Sequence, residues 1–282
     1  MRTRIWLFVI VMSQNISVST AETLLERGTY LMKSIVACGN CHTPQTPKGP
    51  NWHMELAGQF LMEEKGVFTA FAPNITPDKD TGIGNWTDQQ IIVAVREGKR
   101  PDGTIIGPPM PIGLYRGLSD RDIKAIVAYL RRVKPVRNVV KKTTYHIPLP
   151  PSYGPPVVSV ADVPRSDKVA YGAYLAGAAG HCIECHTPLV EGHPDFKNQL
   201  GAGGNRFTGP WGMSVSTNIT PHGDGISHYK NAQLAIIIRK GIRPDGSRLL
   251  PPMGVAYYAN ITDDDISAII AYLRQLKPKP TP

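Results

Sequence analysis

The sequence predicts an all-α protein in which one small helical domain occurs twice, the copies joined by a Pro-rich linker. Three observations carry this. Segments of the second half repeat segments of the first at a nearly constant offset. The final stretch of each half places apolar residues at i, i+3, i+4 and i+7, the stripe of an amphipathic helix. Alternating, strand-like patterns are scarce.

The repeat runs through the whole mature chain. Arg27-Gly-Thr-Tyr-Leu31 aligns with Tyr171-Gly-Ala-Tyr-Leu175 at offset 144, and Asn74-Ile-Thr-Pro77 with Asn218-Ile-Thr-Pro221 at the same offset. One residue is then lost, so Arg100-Pro-Asp-Gly103 pairs with Arg243-Pro-Asp-Gly246 at offset 143, as Pro108-Pro-Met110 does with Pro251-Pro-Met253. A period this long marks duplicated domains rather than a solenoid of small repeats. The expected organisation is a leader over 1–21, a first domain over 22–140, a linker over 141–159 and a second domain over 160–282. Prolines in "IPLPPSYGPP" favour extended, semi-rigid backbone in the linker.

Each copy has the same plan. A first helix leads into Cys-x-x-Cys-His. The 27 glycines and 26 prolines predict long loops after it. A middle helix is expected over Thr87–Glu97, with its counterpart at Asn231–Arg239. The last helix opens on Ser119 or Thr262 as N-cap, with acids just behind it. Its core face carries Ile123, Ile126, Val127 and Leu130, or Ile266, Ile269, Ile270 and Leu273. Gly28 and Gly172 are expected where the first and last helices cross, against Tyr129 and Tyr272. Only 6 Phe and 4 Trp are available for two cores, so a bound flat apolar group would supply the missing volume.

Arg2 and Arg4 precede the apolar run from Ile5 to Met12, followed by polar residues and small ones at Ser19 and Ala21. This is the order of a cleaved secretory signal, and the run is too short to span about 30 Å of hydrocarbon. The mature chain is therefore expected in a bacterial periplasm, with no integral membrane span; peripheral membrane association is left open. Net charge is +9, or +7 without the two leader arginines. Scattered Lys and Arg in an exported chain argue against nucleic acid. They fit a solvated basic surface or a face steered towards an acidic redox partner.

All four cysteines lie in two motifs, Cys38-Gly-Asn-Cys41-His42 and Cys182-Ile-Glu-Cys185-His186. Disulfides, zinc and covalent haem compete for them. Disulfide frameworks seldom pair every cysteine two residues apart with His following each time. Zinc would need a fourth ligand for each local set of three. Cys-x-x-Cys-His is the attachment pattern of c-type haem, in which two thioethers reach the porphyrin vinyl groups and the adjacent imidazole meets the iron. Two copies at equivalent places in a duplication favour two covalently bound haem c groups. Cys38, Cys41, Cys182 and Cys185 are then the attachment residues, and His42 and His186 the proximal iron ligands.

The sixth ligand sets the chemistry. A Met thioether gives closed, six-coordinate iron suited to electron transfer. Of the six methionines beyond the leader, only Met110 and Met253 match across the duplication, each after Pro-Pro. They are the expected axial ligands. The other six histidines find no repeat partner, which argues against bis-His iron. Asn-Ile-Thr, Trp86 and Tyr229, and Arg100 and Arg243 are candidates either for propionate contacts or for loop structure.

The Cys-x-x-Cys-His, Asn-Ile-Thr-Pro, Arg-Pro-Asp-Gly and Pro-Pro-Met segments together resemble the class I cytochrome c domain. In particular they resemble multihaem cytochrome c subunits of periplasmic alcohol, gluconate and molybdenum-hydroxylase-type dehydrogenases. Such subunits often carry three haem domains; this sequence has two. The resemblance implies a protein that is not itself an enzyme. It would take electrons from a periplasmic dehydrogenase and pass them towards the respiratory chain, to a terminal oxidase or another cytochrome. A free shuttle is the nearest alternative. A dihaem peroxidase or thiosulfate-oxidising enzyme would need an open position or a non-Met ligand, and both domains offer Met.

Overall fold

The computed structural model describes residues 21–282. The expected signal segment lies outside them, apart from Ala21. Among the described residues no helix is long and apolar enough to cross a membrane.

The first domain begins with α1 (Leu24–Lys33), capped by Thr23, whose hydroxyl accepts from the Glu26 amide while Glu26 reaches back. The first Cys-x-x-Cys-His forms the short helix α2 (Gly39–His42). Two antiparallel pairs follow in the loop, β1 (Gln45–Thr46) with β2 (Gly49–Pro50), and β3 (Gln59–Glu64) with β4 (Phe68–Ala72). Next come α3 (Asp88–Glu97), α4 (Ile112–Tyr115) and α5 (Asp120–Leu130). A strand in the linker, β5 (Thr144–Tyr145), pairs with β4. The second domain repeats this plan with α6 (Lys168–Tyr174), which widens into a π turn over Leu175–Ala179, and α7 (Cys182–Cys185). Its loops hold β6 (Leu189–Val190) paired with β7 (His193–Pro194), and β8 (Arg206–Gly209) paired with β9 (Gly212–Val215). The helices α8 (Asn231–Lys240), α9 (Val255–Tyr258) and α10 (Asp263–Gln275) complete it.

The all-α expectation is thus amended. Among the described residues the framework is helical, but four small antiparallel sheets lie in the loops. The β3–β4 ladder forms in a segment whose alternation is broken by a register shift between Phe60 and Met62, so the sequence shows no clean period of two. The middle helices start and stop within one residue of expectation, with Thr87 capping α3 and glycines in the left-handed region ending both, Gly98 and Gly241.

The first and last helices of each copy cross closely. A Cβ on Gly28 would stand 1.9 Å from the Ala125 carbonyl oxygen, and one on Gly172 the same distance from Ala268 O. The Cβ atoms of Tyr129 and Tyr272 lie just beyond. Ile123, Ile126, Val127 and Leu130 are buried on this crossing, as are Ile266, Ile269, Ile270 and Leu273.

The segment expected as a spacer is packed on the first domain. Beyond β5, it reaches the N-terminus of α5, where Asp120 accepts from Ser159 Oγ at 2.8 Å, from the Val160 amide at 3.2 Å and from Arg96 Nη1 at 2.8 Å. These bonds, Ser159 first and Arg96 next, hold the Asp120 carboxyl at about 2, below its ordinary 3.8. A depressed acid contributes stability above its unfolded value and loses it as pH falls through the folded one. The urea midpoint of the native protein should therefore exceed that of Asp120→Asn at neutral pH. The gap should close as pH falls from about 4 to about 2. A gap that stays constant would show that the carboxylate charge does not hold the linker.

Candidate haem sites

In each copy a single helical turn sets two thiols and an imidazole side by side. In α2 the Cys38 carbonyl accepts from the His42 amide at 2.9 Å, which fixes their relative orientation. All four thiols are free. Burial, with minor help from the neighbouring thiol, pushes Cys38 up to about 12. Burial, and behind it the Glu184 charge, pushes Cys41 up to about 11. Cys182 is likewise raised by burial to about 11. Among the described residues no three His, Cys, Asp or Glu side chains converge as a metal-ion site.

The imidazoles are held from behind. His42 Nδ1 lies 2.8 Å from the Pro73 carbonyl, and His186 Nδ1 2.6 Å from that of Thr217. A carbonyl can only accept, so Nδ1 carries the proton and Nε2 keeps its lone pair for a ligand. Burial lowers both imidazoles below their ordinary value, with the carbonyl bond opposing it, and so favours the neutral, ligating form. The two supporting carbonyls were not picked out from sequence. Their signal was position: each directly precedes an Asn-Ile-Thr.

That motif serves the loop. Asn74 Oδ1 accepts from the Thr76 amide at 2.9 Å and its hydroxyl at 2.7 Å, and Nδ2 donates to Val136 O at 2.7 Å. Asn218 makes the same bonds with Thr220 and Lys279 O. Each motif ties the proximal loop to the chain leaving the last helix. Arg-Pro-Asp-Gly is a capped turn: Asp102 accepts from Thr104, and Arg100 donates to Ile105 O. Met110 and Met253 are half-buried and pack against the core, each in the loop between middle and penultimate helices. The donor set on each side therefore matches an iron porphyrin anchored by two thioethers: two thiols on one turn, an Nε2 held free, and a thioether on a separate loop.

The two sites face one another. Tyr115 of α4 stacks edge-on against the ring of His181, at 5.8 Å, directly before the second motif. Tyr257 of α9 stacks edge-on against Trp52 at 5.5 Å. Burial pushes Tyr115 and Tyr258 far up; the thiols of each one's own motif add to this, and across the interface so do Glu184 for Tyr115 and Cys41 for Tyr258. Burial raises Cys185 too, with Glu184 and then Cys41 of the other domain adding to it. The interface bonds are exchanged symmetrically: Tyr30 OH donates to Asp265 at 2.6 Å, and Tyr174 OH to Asp122 at 2.7 Å. Asp122 is further held by Arg27 through Nε and Nη2, both at 2.8 Å. Tyr171 replaces that arginine in the second copy.

Two stretches of the chain, residues 25–134 and 169–277, match the cytochrome c family. The chain belongs to the cytochrome c family. It holds two tandem cytochrome c domains, and with them two covalently bound haem c groups. This cytochrome is 31% identical over 277 residues to the cytochrome c subunit of alcohol dehydrogenase (quinone) from Gluconobacter oxydans, covering 92% of this chain and 56% of that one. It is 32% identical over 274 residues to the fructose dehydrogenase cytochrome subunit of Gluconobacter japonicus, covering 90% and 53%. A diheme cytochrome c-type protein of Cereibacter sphaeroides is 28% identical over 253 residues, covering 85% of this chain and 81% of its own. The chain thus spans a little over half the length of the two dehydrogenase subunits.

Proposed function

We propose that this cytochrome is the electron-transfer component of a periplasmic dehydrogenase system and is not itself catalytic. It accepts electrons from the dehydrogenase at one domain, passes them across the interface, and delivers them towards the respiratory chain through another cytochrome or a terminal oxidase. Haem c, when bound, supplies one-electron iron chemistry. Cys38 and Cys41, and Cys182 and Cys185, anchor it. His42 and His186 would hold its iron through Nε2, and Met110 and Met253 through sulfur. Residues 22–140 and 160–282 form the two units, with 141–159 between them and 1–21 as the export leader.

The observation that carries this reading is the meeting of both Cys-x-x-Cys-His turns at one domain interface, where Asn40 of the first donates to Pro252 O at 2.8 Å and His181, directly before the second, stacks on Tyr115 at 5.8 Å. Two sites kept apart by a free spacer would not serve internal transfer. Fully liganded iron changes little on reduction, and the Met pair fits that role. The relatives named as dehydrogenase subunits support a dehydrogenase as donor.

Intact mass of the exported protein should show two added haems. Met110→Leu and Met253→Leu should each remove about half of the near-infrared Met–Fe(III) band. Purified dehydrogenase isolated with this chain should reduce both haems of the native protein. Absence of porphyrin, or a band unchanged in both variants, would refute the ligand assignment. Failure of any co-purified dehydrogenase to reduce it would refute the partner.

A further inference from the structure

The loops that carry Met110 and Met253 are fastened by groups from outside their own domains, and by different ones. In the second domain the Pro252 carbonyl, one residue before Met253, accepts from Asn40 Nδ2 at 2.8 Å. Asn40 belongs to the Cys-x-x-Cys-His turn of the first domain. Its amide also lies over the next residue of the loop, since a Cβ on Gly254 would stand 3.5 Å from Asn40 Cγ. From its own domain the Pro-Pro-Met stretch receives one side-chain bond, Ser214 Oγ to Pro251 O at 2.7 Å, beside the backbone bonds of the turn itself.

The first domain lacks both devices. Ala70 stands in place of Ser214, and Glu184 in place of Asn40. Glu184 lies instead 3.6 Å from Nδ1 of His181. Here the linker takes over. The Gly107 amide, three residues before Met110, donates to Tyr145 OH at 3.0 Å, and Tyr153 OH donates to Ile106 O at 2.9 Å. Tyr145 is itself fixed by strand β5.

We infer that Asn40 and Tyr145 are positioning residues for the axial sulfurs: Asn40 holds Met253 across the domain interface, and Tyr145 holds Met110 from the linker. This rests on the ligand assignment proposed above. A Met–iron bond is weak, so the loop must bring the sulfur to one place without its help. Removing an outside bond therefore loosens one sulfur and leaves the other as it was.

The test uses the full haem-loaded chain, oxidised, with isotopically labelled methionine methyls. A ligating Met gives a methyl resonance far outside the ordinary range. Met110→Leu and Met253→Leu each erase one such signal and so assign both. Asn40→Leu keeps the shape of the side chain and removes the donor. It should move the Met253 signal and speed cyanide capture at that iron about fivefold, the worth of one neutral hydrogen bond. The Met110 signal should stay. Tyr145→Phe should do the reverse. Tyr174→Phe, which loosens the interface away from both loops, should move neither. If Asn40→Leu is recovered without haem, Asn40→Ser, too short to reach the carbonyl, is read in the same way. Signals that stay put, or that move together in both variants, overturn the inference while the ligands stand. If the Met→Leu variants erase nothing, the ligand assignment has failed first.

Discussion

Asp122→Ala is expected to destabilise the protein by about 3–5 kcal/mol, because it strands a buried cation. Arg27 is 3% exposed and its fork closes on both Asp122 oxygens. Burial alone pulls the guanidinium down, yet the Asp122 carboxylate more than offsets this and leaves Arg27 above its ordinary value. Without Asp122, only the long bond to Tyr171 OH opposes desolvation, and Tyr174 also loses its acceptor. The second copy provides the comparison. Asp265 is equally buried and accepts from Tyr30, but Tyr171 stands where the arginine would be. Asp265→Ala should cost only about 1–3 kcal/mol, the range for one unsatisfied buried hydroxyl. Urea unfolding of the haem-loaded variants measures both. Equal losses would mean that the guanidinium contributes nothing special.

Gly28→Ala should be the most damaging single-methyl change, at about 3 kcal/mol, the upper end of overpacking. The added carbon would meet the Ala125 carbonyl oxygen at 1.9 Å, and that oxygen belongs to helix α5 and cannot swing aside. Either α1 and α5 separate, exposing Ile123 and Ile126, or one helix bends. Gly172→Ala should behave alike, since its clash with Ala268 has the same length. Gly113→Ala is the control: a Cβ there meets nothing within 4 Å, and helix α4 should gain up to about 1 kcal/mol. Thermal unfolding of the three variants in parallel would check the argument. A Gly28→Ala protein as stable as the parent would show that the helices have room to part.

These glycines were legible in the sequence because both repeats keep them opposite a tyrosine, and so were the helices, whose caps and apolar stripes are local properties of the chain. The small sheets were not, because their strands are short and the longest ladder carries a register shift at Phe60. The Cys-x-x-Cys-His turns could be read since thioether chemistry fixes their spacing. What lay beyond sequence was everything that joins residues remote in the chain. The carbonyls behind His42 and His186 are backbone atoms, which a side-chain alphabet does not record. The exchanged bonds of Tyr30 with Asp265 and Tyr174 with Asp122 did leave a trace, a tyrosine and an acid each kept in both copies. Identifying them as cross-domain pairs requires knowing that the copies pack face to face.

Strand β5 places the last piece of the three-stranded sheet after the helix that closes the first domain. A single-haem fragment ending at residue 134, where the first family match stops, would leave Phe68 and Thr69 with an open β edge. Such an edge invites self-association. Anyone dividing this molecule to study one haem at a time should cut past Val160, and should expect the C-terminal half, parted from its sister, to need a substitute for the face it lost.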